Sequence, residues 1–421
     1  MTPARSRQLN LAGRLVGLTI AAAILLVGFT AGGIAAAASP PKLDAKAWAL
    51  IDARTGEVLA EKAPDRHLPM ASTTKMMTAY LAMKNLNLAR KYPAADYQAD
   101  PAESLMGLET GQMVSGRDLL YGLILLSGND AAVTLAEAVS GTEKKFVGLM
   151  NRTAGRLGLE DTHYENPVGL DGKQHYSSAR DLTTLGRDLM ALPRFRPIAS
   201  ARTATLNSYT PPIEIQTLND FVLGNAWAQG IKTGHTIKAG YVLASDGRRR
   251  ATELIGAVIG TPTELARDAE TVKLLDYGFS LYTKQIPIRQ KKPVARIPVK
   301  FQGENLAVVS PTSVRIGIRK GEKIQITKDI PDEVEGPVRK NELIGSATVT
   351  VDGEKISTVK LLAARSVAEA SLAEKLKGQA IFMIIGLLIA LFAILGLVAL
   401  IRHRREARMR GRLRRVTRRR R

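Results

Sequence analysis

"LPMASTTKMM", residues 68–77, sets a serine, Ser72, three residues before a lysine, Lys75, where an apolar, helix-favouring run begins. Positions i and i+3 share a helix face, so hydroxyl and amine can meet there. Taken alone, the pair also reads as an ordinary N-cap serine followed by a solvated lysine, since helix starts favour side-chain oxygens that satisfy free backbone N–H groups. The surrounding sequence has to decide between the two.

Downstream, "TTKMMTAYLAMKNL" and "GRDLLYGLILL" carry apolar residues at helical spacing, and "DAAVTLAEAVSG" and "EKKFVGLMNRTAGRLG" continue the pattern, each ending near a glycine. Upstream, "AWALIDARTGEVLAEKA" reads as two β-prone runs around the turn "ARTGE". β-Branched runs return in "GYVLAS" and "ELIGAVIG", followed by a helix around "RDAETVKLLDYGF". Strands at both ends with helices between predict an α+β domain over 43–283, its sheet assembled from strands distant in sequence and covered by helices. Residues 291–364, with "VRIGI", "EKIQIT", "SATVTV" and "KISTVKLL" broken by turn residues, predict a small all-β domain. A helical linker over 365–379 follows.

Two further stretches bear on Ser72. "LLSGNDAA" brings Ser127, Gly128 and Asn129 to a turn after an apolar helix, and "GIKTGHT" brings Lys232, Thr233 and Gly234 to the start of a strand. Isolated, the first reads as a helix–helix turn and the second as a strand lead-in. Together and in this order they resemble the S-x-x-K, S-D-N and K-T-G set of class A β-lactamases and penicillin-binding proteins, with Ser-Gly-Asn in the middle place. The chemistry accounts for the residue types. A serine hydroxyl needs a base, and a lysine one turn away serves if burial and a neighbouring cation such as Lys232 lower its pKa. Ser127 can relay a proton to the leaving group, and Asn129 can hydrogen-bond the substrate amide. Lys232 and Thr233 suit a carboxylate, and Gly234 lets the strand approach the substrate closely. The oxyanion is expected between the backbone N–H groups of Ser72 and His235.

The chain resembles the bacterial low-molecular-mass penicillin-binding proteins that act as serine-type D-alanyl-D-alanine carboxypeptidases. "LPMASTTKMMTAYLA", "LLSGNDAAVTLAE", "FVGLMNRTAGRLGLEDTHYENPVGLDG", "HYSSARDLTTLGRDLM" and "GIKTGHTIKAGYVLAS" all look like that family's blocks, in its order. The resemblance covers nearly all of 43–364, and the segment 291–364 is similar to the family's C-terminal stalk domain. It implies the penicillin-binding/β-lactamase-like fold with a helical subdomain, Ser72 as acylated nucleophile and Lys75 as base. Ser127 and Asn129 would form a second wall, and Lys232, Thr233, Gly234 and His235 the edge strand. It also implies removal of the terminal D-alanine from peptidoglycan stem peptides, and acylation of Ser72 by β-lactam antibiotics. Val168 stands where the family often has histidine before Gly-Leu-Asp, a departure expected to touch none of the catalytic groups. Three rival readings are a β-lactamase, a DD-endopeptidase and a catalytically silent wall scaffold. No match to the deacylating glutamate block of class A β-lactamases is found.

The chain of 421 residues has no cysteine, which excludes disulfides, thiolate metal sites and cysteine nucleophiles. Its five histidines, His67, His163, His175, His235 and His403, show no metal-ligand spacing. "SGTEKK" lacks the spacing of a phosphate-binding loop. Neither a metal nor another cofactor is expected. Residues 1–38 have the form of a signal peptide, with Arg5, Arg7 and Arg14, an apolar run and a small-residue stretch ending near Ala38. Residues 380–401 carry no charge and would extend about 33 Å as a helix, enough for one membrane span. The tail, 402–421, holds 12 arginines and one glutamate. Of the formal charge of +21, the tail accounts for +11 and the leader for +3, which leaves +7 between them. The high charge therefore reads as topology: tail in the bacterial cytoplasm beside anionic lipids, catalytic domain outside. Without interleaved aromatics the arginines do not point to nucleic acid.

Overall fold

A computed structural model describes residues 39–417; the expected leader, 1–38, lies outside the described residues. The chain divides into two contact units, one ending at Leu43 and one beginning at Asp44. In the first, residues 39–43 adopt neither helix nor strand.

The second unit opens with β1 (Ala47–Asp52) and β2 (Val58–Lys62), the hairpin expected around "ARTGE". β1 then pairs with β9 (Thr252–Thr261), some two hundred residues later. With β7 (Ala228–Thr236) and β8 (Gly240–Arg249) these form an antiparallel sheet ordered β2-β1-β9-β8-β7, leaving β7 at one edge.

All of β1 and nearly all of β9 is buried, because helices cover both faces. Alternate strand residues point to opposite faces. Leu254 and Leu50 lie against Gly278 of α8 (Glu264–Ser280), whereas Ile255 and Ile231 lie against Gly186 of α5 (Ala179–Met190). A Cβ at Gly278 would come within 2.6 Å of Leu254 and one at Gly186 within 2.9 Å of Ile231. Glycine is what lets each helix lie this close.

Between β2 and α5 the chain builds a helical subdomain. α1 (Lys75–Asn85), α2 (Gly116–Leu125), α3 (Asn129–Ser140) and α4 (Glu143–Arg156) enclose Met76, Met77, Leu119, Leu123, Ala132, Leu135, Phe146 and Met150. α2, α4, α5 and α8 each begin with a Ser or Thr whose side-chain oxygen accepts from a backbone N–H three residues on: Ser115, Thr142, Ser178 and Thr263. The segment between α1 and α2 is largely irregular. It holds only the short pair β3 (Lys91–Pro93) and β4 (Met113–Ser115). Between α5 and β7 lie the short helices α6 (Arg196–Ala199) and α7 (Asp220–Gly224) and the paired strands β5 (Thr203–Leu206) and β6 (Ile213–Gln216).

From Tyr282 onward the chain is β-structured. A five-stranded sheet ordered β11-β12-β16-β15-β14 and a two-stranded ribbon, β10-β13, enclose Ile297, Leu306, Val308, Ile316, Val349 and Leu361. Here β10 is Tyr282–Ile288, β11 Pro293–Pro298, β12 Asn305–Val309 and β13 Val314–Arg319. β14 is Ile324–Asp329, β15 Leu343–Val351 and β16 Glu354–Ala363. This is the expected architecture, an α+β domain followed by an all-β one. A final helix, α9 (Leu372–Thr417), is over Leu372–Glu406 long and apolar enough to cross a membrane.

Candidate active site

Ser72 occupies a single 3₁₀ turn, Ala71–Thr74, and α1 starts at Lys75. The caps of both elements lack a side-chain hydrogen bond, so Ser72 is not a capping residue. Its Oγ instead lies 3.0 Å from Lys75 Nζ. The turn is held from beneath. Thr74 Oγ1 donates to the Ala71 carbonyl (2.8 Å) and stands 2.8 Å from His175 Nε2. His175 Nδ1 accepts from the Glu165 N–H, so the ring proton sits on Nε2 and donates to Thr74.

Lys75 is completely buried, and three groups surround Nζ: Ser72 Oγ, Asn129 Oδ1 at 2.6 Å and the Val168 carbonyl at 2.6 Å. Burial, reinforced by the charge of Lys232, holds its pKa well below the ordinary lysine value, while Glu103 and Asp130 pull the other way. The contact with Val168 corrects the sequence reading. That position was expected to touch no catalytic group, yet its backbone carbonyl is one of three partners of the amine. The Val168 side chain is itself buried.

Two loops deliver these partners. Asn166 Oδ1 accepts the N–H groups of Val168, Gly169 and Leu170, folding the segment so that the Val168 carbonyl faces Lys75. Gly169 is at φ +101°, and a Cβ there would lie 2.1 Å from the Ala71 carbonyl oxygen. Ser127, at φ 60°, lies in the short connection between α2 and α3, and Asn129 opens α3. A left-handed backbone at a non-glycine residue is uncommon and concentrates at functional sites.

The third motif lies on β7. Lys232 is buried, donates to the Thr233 carbonyl (2.9 Å), and is pushed down to about 7 by burial and then by Arg267. Gly234 faces the serine turn directly; a Cβ on it would lie 2.8 Å from Ser72 N and 3.1 Å from Thr73 N. His235 is exposed and stacks on Tyr241 at 4.1 Å. The three short motifs therefore converge: the first two through the Lys75–Asn129 hydrogen bond, the first and third through the contact of Gly234 with the serine turn.

Two acidic residues here are not among the site residues expected from the sequence. Asn129 Nδ2 donates to Glu103 (2.5 Å), whose carboxylate also accepts from the Tyr97 hydroxyl. Asp130 accepts the N–H groups of Met106 (2.8 Å), Gly107 (2.8 Å) and Leu108 (2.9 Å). Glu103 lies in irregular chain without periodicity. The only hint was the polar Asp130 beside the Ser-Gly-Asn motif. Among the described residues no group of three or more His, Asp or Glu side chains is arranged to hold a metal ion.

A half-buried serine beside a fully buried lysine, set between the main sheet and a helical subdomain, is the arrangement of a serine-type peptidase. Residues 34–263 match the family described as D-alanyl-D-alanine carboxypeptidase, and residues 282–369 match the C-terminal domain of penicillin-binding protein 5. D-alanyl-D-alanine carboxypeptidase DacA of Escherichia coli K12 is 33% identical over 347 residues, covering 78% of this chain and 85% of that protein. DacF of Bacillus subtilis is 31% identical, covering 79% and 88%. The crystal structure of penicillin binding protein 5 from Haemophilus influenzae, at 30% identity, superposes with a TM-score of 0.56, covering 79% of this chain and all of that one. The chain belongs to the D-alanyl-D-alanine carboxypeptidase family of serine peptidases.

Proposed function

We propose that the protein removes the terminal D-alanine from peptidoglycan stem peptides through an acyl-enzyme on Ser72, and that β-lactams acylate the same hydroxyl. The observation that carries this reading is the surroundings of Lys75 Nζ. A neutral amine has two N–H bonds and one lone pair. Asn129 Oδ1 and the Val168 carbonyl, both acceptors at 2.6 Å, take the two N–H bonds, and the lone pair is left for the third neighbour, Ser72 Oγ at 3.0 Å. Burial favours the neutral form that this role requires.

The steps follow. The substrate's terminal carboxylate docks against Lys232 and Thr233, which favours protonated Lys232, and that charge in turn disfavours protonation of Lys75. Ser72 Oγ attacks the carbonyl between the two D-alanines as its proton passes to Nζ. The oxyanion is received by the backbone N–H groups of Ser72 and His235, and Gly234 allows the approach. The proton then reaches the departing nitrogen by way of Ser127, free D-alanine leaves, and water hydrolyses the ester. Asn129 retains a second Nδ2 proton for the substrate amide. α9 would anchor the protein in the membrane with the arginine-rich tail in the cytoplasm against anionic lipid and the catalytic domain outside, where its substrate is. The leader expected over 1–38 would direct that export.

The test is intact-protein mass spectrometry of the full chain in detergent after incubation with benzylpenicillin, together with D-alanine release from a peptide ending in D-Ala-D-Ala. A persistent penicilloyl adduct and D-alanine release, both lost in Ser72→Ala, are expected. Rapid consumption of the penicillin without an adduct would indicate a β-lactamase instead. A folded wild-type protein with neither reaction would leave the silent scaffold.

A further inference from the structure

We propose that Glu103 is a positioning residue for the Lys75 base, acting through the Asn129 amide. This rests on the reading of Lys75 as general base given above. An Asn side chain can present either its oxygen or its nitrogen to a neighbour, and the hydrogen-bonding partners decide which. Asn129 lies between an amine and a carboxylate. An ionised carboxylate only accepts, so Glu103 takes the Nδ2 end at 2.5 Å and thereby directs Oδ1 to Lys75 Nζ at 2.6 Å. Turned the other way, the amide would face the carboxylate with an oxygen and Nζ with a donor. The donor would then compete for the lone pair that Ser72 needs.

Glu103 is itself held in place. Its carboxylate accepts from the Tyr97 hydroxyl and from the Asp100 N–H (3.2 Å). The segment that carries it is docked on the start of α3, where Asp130 accepts three successive N–H groups, of Met106, Gly107 and Leu108, and the Asn129 N–H donates to the Ser104 carbonyl (2.8 Å). The neighbouring residues Asn129 and Asp130 thus do different work: Asp130 fixes the loop and Asn129 receives what the loop brings. Burial pushes the Glu103 carboxyl up, but the Tyr97, Asn129 and Asp100 hydrogen bonds and the charge of Lys75 outweigh it and hold the group below its ordinary value, so it is ionised at neutral pH.

The charge has a second effect, on the strength of the base. The charged groups that act on Lys75 are Lys232 from β7, Asp130 from α3 and Glu103 from the loop. Lys232 and burial favour the neutral amine, while the two carboxylates oppose them. Removing the charge at Glu103 makes Lys75 lose its proton at lower pH and makes it a weaker base once neutral.

The experiment is the rate of acylation of the full chain in detergent by benzylpenicillin, measured from pH 4 to 9 for wild type, Glu103→Gln and Glu103→Ala, with the adduct mapped to Ser72 in each. Glu103→Gln keeps the size and an acceptor for Asn129 but removes the charge. It is expected to move the acidic limb of the profile to lower pH with a fall of a few-fold in the plateau rate. Glu103→Ala also frees the amide and is expected to lower the plateau by about ten- to a hundredfold, as misoriented catalytic groups do. A protein whose loop had merely loosened would show a lower rate with an unmoved limb, and that result overturns the proposal. So do profiles identical to wild type. If the wild type itself is not acylated at Ser72, the reading of Lys75 as base fails first and this inference with it.

Discussion

Around Lys75 Nζ, each neighbour comes from a different stretch of chain, and how visible each was in the sequence depends on what it contributes. Ser72 and Asn129 act through side chains in short contiguous motifs. Val168 acts through a carbonyl, which every residue type possesses, so its identity says nothing of its role. What the sequence does record there is Gly169, since only glycine tolerates φ +101° with the Ala71 carbonyl so close. Gly169→Ala is therefore expected to cost about 1–3 kcal/mol in stability from the backbone conformation. It should also shift the Val168 carbonyl away from Nζ and slow penicillin acylation by about a hundredfold. Urea unfolding and acylation kinetics on the same variant measure the two effects; normal acylation would mean that the carbonyl is not needed to orient the amine.

At the level of elements, the helices and the main sheet were legible because their apolar spacing is regular and their caps are chemical. β1 and β9 read as strands, although their pairing partner could only be inferred as distant. The irregular segment from Tyr97 to Gln112 was not legible. Its conformation is set by hydrogen bonds to Asp130 and Glu103 across the site, and such bonds leave no period. The serine turn is supported in a similar way, by buried His175 through Thr74. Burial, with a smaller contribution from His163 against the opposing Glu165 and Asp171, pushes His175 down to about 4 from about 6.5. The unfolded chain therefore binds a proton between those values that the folded protein does not. Stability is complete above about pH 6.5 and is lost as pH falls toward 4, by up to about 3 kcal/mol. Compared with wild type, a His175→Asn variant should be less stable at pH 7.5 and lose less between pH 6.5 and 4.5 in denaturant titrations. Parallel losses in the two proteins would show that another group titrates in that window.

For the whole molecule, the catalytic and all-β domains meet at the turn between β1 and β2. Arg54 from that turn bonds Glu322 (3.1 Å) and Glu354 (2.6 Å), Glu57 bonds Arg319, and the Tyr282 hydroxyl donates to Asp52 at the end of β1. These contacts tie the all-β domain to the sheet, while the chemical groups lie between Ser72 and His235. Beyond them α9 exposes its apolar residues: Phe382, Ile384, Leu388, Phe392 and Leu395 each leave half or more of their surface free. A soluble protein rarely exposes so much contiguous apolar surface. A membrane would cover it. If α9 is only an anchor, ending the chain after Ser371 removes no contact on which the site depends. The truncated protein, made with residues 1–38 replaced by a tag, should appear in the soluble fraction. It should be acylated by benzylpenicillin within about twofold of the full chain, as for changes remote from any buried feature. The full chain should remain with the membrane after alkaline carbonate washing. Truncated protein that still sediments with membranes would place attachment elsewhere, and a large loss of acylation would mean that α9 supports the catalytic domain as well as holding it at the lipid surface.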